Sequence, residues 1–382
     1  MPARLSRIGR HWAAALPGVA LAVFCTIGLL AVLAEAGGVA VDTARAEARS
    51  RTTDTTGTRV LREQVQDWLE GTSVAHLLAA LGNGAQWLLA GDLGPRVRVG
   101  CDGWLFLADE LVVHPHAQEN RRMRLRLVDS VSRQLAADGT RLLVAVVPDK
   151  SRVEHHRLCG LSRPGQLEPR LPDWLAKLEA QGVPTLSLAP ALEPGRRDTF
   201  LRTDTHWNEL GAETAARRIA AEVAGLPLGT MPSTEYSITD GPPASKTGDL
   251  VRLAGIAGLP SRLLPAPEPV PARQVLPRHS ASGDLFGATA YPRIALIGTS
   301  FSRTSNFAGY LGLHLGLAVA NLAEDGGGFL GSMSAYLASG DRRETPPSLI
   351  VWEIPERFLD TPLSQAEAAL LQGRQGGLRP QR

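Results

Sequence analysis

The stretch Arg141-Leu-Leu-Val-Ala-Val-Val-Pro148 decides the fold, because it is an unbroken apolar run of strand length. A strand with one face in water alternates polar and apolar residues, whereas an unbroken apolar run fits a parallel strand covered on both faces. The preceding residues 121–137 place their apolar side chains at helical spacing along one face. An amphipathic helix followed by a fully buried strand indicates an α/β fold.

Helix and strand continue to alternate along the chain. Further elements are predicted as a helix over residues 172–180, a helix after Trp207, and buried strands at residues 183–188, 294–297, 317–320 and 349–352. Pro172 is expected at the first position of its helix, where its missing N–H costs nothing. Asn208 is expected to cap the second helix and Gly225 to end it. This alternation predicts a mostly parallel sheet between helical layers.

The first forty residues decide the compartment. The uncharged residues 13–34 follow three arginines and match the length of a transmembrane helix, about 20 apolar residues. The basic flank predicts a single-pass inner-membrane protein with its catalytic part in the periplasm or otherwise extracytoplasmic. Ala34-Glu35-Ala36 also fits a signal-peptide cleavage site, but apolar regions of signal peptides usually run only about 7–15 residues. We therefore favour an uncleaved anchor, and both alternatives export the rest of the chain.

The composition excludes one class of partner, and shifts in composition divide the chain into segments. The net charge is +2, and no basic cluster mixed with aromatic residues indicates a nucleic-acid surface. The predicted segments are a membrane anchor over residues 1–40, a stalk or helical linker over 41–97, a catalytic domain over 98–365 that includes a Pro/Gly-rich excursion with little regular structure over 226–290, and a disordered tail over 366–382.

The cysteine and histidine residues bear on disulfides and metals. Cys25 lies in the apolar segment, which leaves Cys101 and Cys159 as a candidate disulfide in an oxidising compartment. The sequence does not fix whether their Cα atoms come within bridging distance. The cysteine and histidine spacings match no zinc pattern, and His155-His156 is interpreted as a solvated loop. No metal and no cofactor are expected.

Three side chains indicate nucleophilic chemistry. Ser300 directly follows the strand at residues 294–297, and nucleophiles in open α/β sheets collect at the carboxyl ends of strands. Asp204 and His206 are two residues apart, so they address one site only from a loop. A serine needs an imidazole base, and that imidazole needs an orienting carboxylate. Considered alone, Ser300 is best interpreted as the cap of the next helix, and Asp204 and His206 as polar loop residues with capping roles. The three residues together favour a catalytic triad.

Five segments, in this order, resemble the AlgJ/AlgX-like polysaccharide O-acetyltransferases, which contain an SGNH-hydrolase-like domain. The segments are Asp102-Gly-Trp-Leu-Phe106, Val147-Pro-Asp-Lys150, Thr203-Asp-Thr-His-Trp-Asn208, Gly298-Thr-Ser-Phe-Ser302 and Trp352-Glu-Ile-Pro-Glu-Arg-Phe358. The resemblance covers roughly residues 98–362. In ordinary SGNH hydrolases the serine comes first, so the order here argues against the ordinary esterase branch.

The resemblance implies an activity and its partners. Ser300 would carry an acetyl group as an acyl-enzyme, and His206, oriented by Asp204, would deprotonate a hydroxyl of an exported, alginate-like polysaccharide. A membrane-bound MBOAT-type acyltransferase would deliver the acetyl donor. The chain lacks the length for the carbohydrate-binding module of AlgX and therefore resembles the membrane-anchored AlgJ type. Two alternatives stay open: an acetyl esterase with the same triad, and a non-catalytic scaffold that binds polysaccharide or a partner.

An oxyanion hole must stabilise the tetrahedral intermediate. The backbone N–H of Ser300 is one candidate donor, and Gly327 and Gly328 offer others because glycine lets the backbone approach a ligand closely. A flexible turn without a catalytic part is an equally good interpretation of these glycines. The asparagine of the SGNH name has no clear counterpart, although Asn306 and Asn321 are available.

Three further residues are candidates for binding substrate. Lys150 follows a strand end, where it would contact an anionic sugar or hold a loop. Trp104 and Trp207 have the ring faces on which sugars stack, although a buried tryptophan is the commoner outcome. The two glutamates and the arginine within residues 353–357 are interpreted as a structural ion-pair cluster.

Overall fold

The computed structural model describes residues 73–193, 197–278, 291–340 and 344–376. The chain divides into two units, Met1–Leu89 and Ala90–Arg382. The apolar segment over residues 13–34 and the stalk residues 41–72 lie outside the described residues. Within the described part of the chain, no helix is both long and apolar enough to cross a bilayer.

The helix Ser73–Ala90 belongs to the first unit except for its last residue, and strands and helices alternate through the second unit. The strands are β1 (Val97–Val99), β2 (Leu105–Leu107), β3 (Arg141–Val147), β4 (Thr185–Ser187), β5 (Tyr236–Lys246), β6 (Glu268–Pro277), β7 (Ile294–Ile297), β8 (Val319–Asn321) and β9 (Leu349–Pro355). The helices are α1 (Ser73–Ala90), α2 (Ala117–Ala137), α3 (Lys150–Val153), α4 (Arg170–Glu179), α5 (Ala189–Leu192), α6 (Glu209–Val223), α7 (Asp249–Leu253), α8 (Phe307–Leu315), α9 (Gly331–Ala338) and α10 (Gln365–Gly376).

The central sheet has five strands in the order β4-β3-β9-β7-β8, and every neighbouring pair is parallel. This confirms the predicted parallel sheet, and all five strands predicted for it are present. β9 is three residues longer than predicted, and β8 begins two residues later than predicted. Because β7 and β9 are parallel neighbours, their carboxyl ends lie at the same edge of the sheet, and the turn that begins at Ser300 follows β7 there.

Helices cover both faces of the sheet. Alternate residues of β3 face opposite ways: Leu143 packs in a cluster with the side chains of α6 and α8, and Leu142 packs in another with α2, α4 and α9. Both leucines are nearly fully buried. Burial of a leucine stabilises the fold by about 1.5–3 kcal/mol. The unbroken apolar run of β3 is thus explained by two covered faces.

The first turn of α4 differs from the prediction. The helix begins at Arg170, so Pro172 is its third residue and not its first. The first N–H groups of a helix have no intrahelical partner, so proline at this position still breaks no hydrogen bond. α6 follows the prediction more closely, because Asn208 is its N-cap and accepts a hydrogen bond from Gly211 N at 3.0 Å.

The excursion over residues 226–290 is more regular than predicted. β5 and β6 form a long antiparallel ribbon with a bulge between Gly241 and Ala244, and α7 lies between the two strands. Most ribbon side chains are exposed. Proline is tolerated on edge strands and at bulges, where no ladder hydrogen bond is lost. Prolines were therefore misread here as breakers of regular structure; residues 279–290 lie outside the described part.

The predicted disordered tail over residues 366–382 is wrong for residues 366–376, and residues 377–382 lie outside the described residues. Residues 365–376 form α10, and Ser364 and Glu367 make a reciprocal capping box in which each side chain accepts a hydrogen bond from the other's backbone N–H. Glu367 is also buried in an ion pair with Arg124, with 2.7 Å between Oε1 and Nε. The prediction was wrong here because the helix is fixed by this distant arginine.

Candidate active site

Ser300, His206 and Asp204 form one hydrogen-bonded chain. Ser300 opens a short 3₁₀ turn just beyond β7, and its Oγ lies 2.7 Å from His206 Nε2. His206 Nδ1 lies 2.6 Å from Asp204 Oδ1. With Nδ1 protonated, the imidazole donates to the carboxylate and its Nε2 accepts the serine proton. This is the geometry of a nucleophile, a base and the group that orients the base.

A tight loop turns Asp204 and His206 towards the same side. Asp204 Oδ1 also accepts a hydrogen bond from the backbone N–H of His206 at 3.1 Å. The base of the loop is closed by Leu201 N, which donates to His206 O at 3.0 Å, and by an isolated bridge between Phe200 and Trp207. The loop is therefore a rigid entry into α6.

Two residues of the β5–β6 region complete the surroundings of Asp204. Its Oδ2 lies 3.1 Å from Lys246 Nζ and accepts a hydrogen bond from Asp249 N at 3.2 Å. Burial raises the pKa of Asp204, but the hydrogen bond and charge of His206, together with the charge of Lys246, outweigh it and hold the pKa well below its usual range. Asp204 thus stays ionised at any working pH.

Asp249 is a second carboxylate near the imidazole. Its Oδ1 accepts a hydrogen bond from Thr205 N at 2.7 Å, and its Oδ2 accepts one from the Thr205 hydroxyl. Asp249 Oδ2 is 3.6 Å from His206 Nδ1, which is beyond hydrogen-bond distance. Asp249 therefore holds the loop, whereas Asp204 orients the ring. No motif in the sequence signals Lys246 or Asp249, so both were missed.

Glu353 fixes the turn that carries Ser300. It is fully buried and accepts hydrogen bonds from Thr299 N at 2.7 Å and Ser302 Oγ at 3.0 Å. A Cβ at position 298 would lie 2.5 Å from Glu353 Oε2, so only glycine fits there. Burial raises the pKa of Glu353. Glu353 acts on Ser300 through the turn, which corrects its assignment to an ion-pair cluster.

The candidates for the oxyanion hole have different positions. Ser300 is the first residue of the 3₁₀ turn, so its backbone N–H has no hydrogen-bond acceptor within the turn. Gly327 and Gly328 lie in the turn before α9, and a Cβ on Gly327 would meet Ser332 and Gly331. Their part in an oxyanion hole stays a prediction. Asn321 Nδ2 donates to Ser302 O and Asn306 Nδ2 donates to Glu209, so both amides are committed elsewhere.

Lys150 lies away from any substrate surface, and of the two alternatives that the sequence left open it is the second, holding a loop, that the structure shows. It is 1% exposed, and its Nζ donates to the carbonyls of Leu105, Arg202 and Asp204 at 2.6, 2.9 and 2.9 Å. Burial lowers its pKa to about 8. The ammonium also lies over the Trp104 ring, 4.9 Å from the ring centroid. Lys150 thus anchors the catalytic loop from beneath.

The two tryptophan candidates are also buried, which is the commoner of the two outcomes considered for them, and neither is exposed enough to stack on a sugar. Trp207 is fully buried and packs against Phe301 and Phe307, with ring centroids 5.0 and 4.6 Å apart. Trp104 is 4% exposed above Lys150. Both residues belong to the core beneath the loop, because the aromatic area buried there outweighs what a solvent-facing ring would contribute.

A disulfide and an ion-pair network support the base of the site. Cys101 and Cys159 are joined by a disulfide with 5.6 Å between their Cα atoms. Glu356 is fully buried and pairs with three arginines, Arg152, Arg163 and Arg170. These charges lower the pKa of Glu356 despite its burial, which acts in the opposite direction.

Arg357 stands apart from that network. Its guanidinium lies over the rings of Phe301 and Phe358, 5.4 and 5.1 Å from their centroids. It is partly exposed, and within the part of the chain that the structure describes it makes no direct ion pair, although its charge acts on the buried Glu353 and Glu110. Because β7 and β9 end at the same edge, this unpaired cation follows β9 next to the turn of Ser300. Arg357 therefore belongs to the expected ion-pair cluster only through the action of its charge on Glu353, and not through a direct contact.

The sheet, its helical layers and the serine–imidazole–carboxylate chain at the strand ends define an SGNH-hydrolase-like α/β domain. A family model, the SGNH hydrolase-like domain of acetyltransferase AlgX, matches residues 97–356. The chain belongs to this AlgX/AlgJ family.

Named relatives agree with that membership. The chain is 37% identical over 289 residues to a probable alginate O-acetylase AlgJ of Pseudomonas aeruginosa, covering 72% of this chain and 73% of that protein. It is 33% identical to the probable alginate O-acetylase AlgJ of Azotobacter vinelandii, covering 72% of each. The solved O-acetyltransferase domain of Pseudomonas putida AlgJ matches with a TM-score of 0.64 and 32% identity, covering 73% of this chain and 100% of that one.

Proposed function

We propose that this chain is an O-acetyltransferase that moves an acetyl group through an acyl-enzyme on Ser300 onto hydroxyls of an exported, alginate-like polysaccharide. The observation that carries the proposal is the continuous chain Ser300 Oγ–His206 Nε2 at 2.7 Å and His206 Nδ1–Asp204 Oδ1 at 2.6 Å. Membership of a family with relatives named alginate O-acetylases supports the acetyl group and the polymer.

The first half of the reaction loads the enzyme. Ser300 Oγ attacks the acetyl carbonyl carbon of the donor while His206 Nε2 takes the hydroxyl proton. The tetrahedral intermediate collapses as the bond to the donor's leaving group breaks, and the imidazolium returns the proton to that group. Asp204 remains a carboxylate throughout and stabilises the imidazolium, as its lowered pKa requires.

The second half transfers the acetyl group. A sugar hydroxyl attacks the acyl carbonyl, His206 takes its proton, and Ser300 Oγ leaves and recovers that proton. The developing oxyanion is stabilised by the N–H of Ser300, and Gly327 or Gly328 would supply a second donor. Water competes with the sugar at this step, so the binding of the acceptor separates a transferase from an esterase.

Arg357 is our candidate for binding the acceptor. An alginate-like polymer carries carboxylates, and a guanidinium binds a carboxylate through two parallel hydrogen bonds. Arg357 is partly exposed beside the Ser300 turn, and among the described residues no carboxylate contacts it directly, although its charge acts on Glu353 and Glu110. A carboxylate held there would place a neighbouring sugar hydroxyl at the acyl carbonyl in preference to water.

We propose an extracytoplasmic location with residues 13–34 as a single-pass inner-membrane anchor. The apolar stretch and its basic flank support this location, and the disulfide between Cys101 and Cys159 fits an oxidising compartment. An anchored catalytic domain suits a membrane-bound MBOAT-type partner that brings acetyl groups across the bilayer.

The proposal is tested by how the acyl group partitions. The full-length chain, charged with an activated acetyl ester, is expected to transfer acetyl to uronate oligosaccharide faster than to water. The Arg357→Gln variant is expected to raise KM for the oligosaccharide about 10- to 100-fold, the effect of one lost charge-assisted interaction, with hydrolysis nearly unchanged. Arg293→Gln, an exposed arginine at the opposite edge of the sheet, is the control.

Two other results would contradict this proposal. Release of acetyl by water at a rate indifferent to oligosaccharide would favour an acetyl esterase. Equal slowing of hydrolysis and transfer by Arg357→Gln would show that this arginine acts on the serine turn and not on the acceptor.

A further inference from the structure

A second group of ionisable side chains lies outside the triad, and its centre is a buried glutamate. Glu154 is fully buried just after α3, and its Oε1 accepts hydrogen bonds from Thr199 N at 2.8 Å and Phe200 N at 3.2 Å. Its Oε2 is also buried but has no hydrogen-bond partner within the described residues. An unpaired buried carboxylate oxygen is costly, and it raises the question of a missing partner.

Two ligand-type atoms face this oxygen. His156 Nε2 lies 3.9 Å from Glu154 Oε2, and Asp198 Oδ1 lies 3.4 Å from the same nitrogen. One ligand atom from each of the three residues lies within 4.8 Å of the others. Arg157 Nη2 donates to Asp198 Oδ2 at 3.0 Å and to Oδ1 at 3.4 Å, so Oδ1 faces both Arg157 and His156. The group therefore offers two carboxylate oxygens and one imidazole nitrogen.

We propose that Glu154, His156 and Asp198 bind a divalent metal ion of the zinc class. Zinc binds imidazole nitrogen and carboxylate oxygen at about 2.0–2.2 Å, so two ligands of a tetrahedral site lie roughly 3.3–3.5 Å apart. The separation of 3.4 Å between His156 and Asp198 already fits, and the 3.9 Å between Glu154 and His156 requires a small closure. The Glu154 and Asp198 oxygens, which lie within 4.8 Å of each other, would close with them. The imidazole favours zinc over calcium or magnesium, which prefer oxygen ligands.

The site has room for a fourth ligand. His156 and Asp198 line a cavity of about 850 Å³, from which a water molecule reaches the open coordination position. The ion would be structural, because it would join the end of α3 to the segment at Thr199 and Phe200 that enters the catalytic loop. No sequence pattern indicates this site, since Glu-x-His and a distant aspartate match no cysteine–histidine zinc pattern.

The test is zinc binding by the full-length chain, stripped of metal with a chelator and dialysed against ZnCl₂. Elemental analysis is expected to find one zinc per chain. At a zinc concentration about 100-fold above Kd, the melting temperature should rise by about 5 °C. His156→Ala should lose both effects, and its side chain is 40% exposed, so the substitution spares the core. His155→Ala, its neighbour outside the cluster, should retain both.

Two results overturn the proposal. Failure of the wild-type chain to bind zinc would mean that His156 merely bridges the two acids. Zinc kept by His156→Ala but lost in Asp249→Asn would place the ion at the other group of suitable geometry, Asp204, His206 and Asp249. Because the readouts are binding and melting, they are independent of acetyl transfer and of the proposed function.

Discussion

Asp204→Asn should lower kcat for acetyl transfer about 10⁴-fold without unfolding the protein. An asparagine amide at this position would donate to His206 Nδ1, so the ring would place its proton on Nε2 and could no longer accept one from Ser300 Oγ. The structure makes this effect specific, because Asp204 Oδ1 is 2.6 Å from Nδ1. Steady-state kinetics with an activated acetyl ester would measure it, and circular dichroism would establish the fold.

Asp249→Asn is the matched control for that variant. Its carboxylate is 3.6 Å from the same nitrogen and holds Thr205 instead, so we expect a loss of about tenfold or less. Equal losses in both variants would contradict the assignment of Asp204 as the orienting carboxylate. The pKa of Asp204 is held well below its usual range, so Asp204 should not titrate in the acid limb of the wild-type pH–rate profile. That limb should show the titration of one group and not two.

Lys150→Met should lower the free energy of unfolding by about 3–5 kcal/mol. The substitution leaves the buried carbonyls of Leu105, Arg202 and Asp204 without their donor, and each unsatisfied buried group costs about 1–3 kcal/mol. Part of that cost is relieved by relaxation and by the apolar side chain. Chemical denaturation followed by tryptophan fluorescence would measure the change.

Lys177→Met, on the exposed side of α4, is the control for Lys150→Met. A surface substitution of this kind usually changes stability by less than about 0.5 kcal/mol. Similar small effects for both lysines would contradict the anchoring role of Lys150. A Lys150→Met variant that is stable but weak in binding oligosaccharide would restore the discarded view that this lysine contacts the sugar.

The sequence predicted those features that depend on neighbours along the chain. The apolar runs of β3, β7 and β9 required two covered faces, and parallel strands place their carboxyl ends at one edge. The position of Ser300 directly after β7 follows from this. The loop before α6 also followed locally, because Asp204 and His206 cannot address one site from a helix.

The features that were missed depend on residues far apart in sequence. Lys246 and Asp249 contact Asp204 from the ribbon region. The two strands of the ribbon were not predicted because they contain prolines. The burial of Trp207 depends on packing against Phe301 and Phe307, which no local pattern encodes. The start of α10 is different, because the capping box at residues 364–367 is visible in the sequence and was overlooked.

The central claim is that Ser300 carries the acetyl group. The direct measurement is intact-mass and peptide-mapping spectrometry of the full-length chain after brief treatment with an activated acetyl ester. We expect one acetyl group on Ser300, absent from Ser300→Ala and His206→Ala, and removed faster by uronate oligosaccharide than by water. It should be retained in Ser261→Ala, a substitution of an exposed serine. Acetylation that persists in Ser300→Ala, or that maps to another residue and is discharged by the oligosaccharide, would contradict the account.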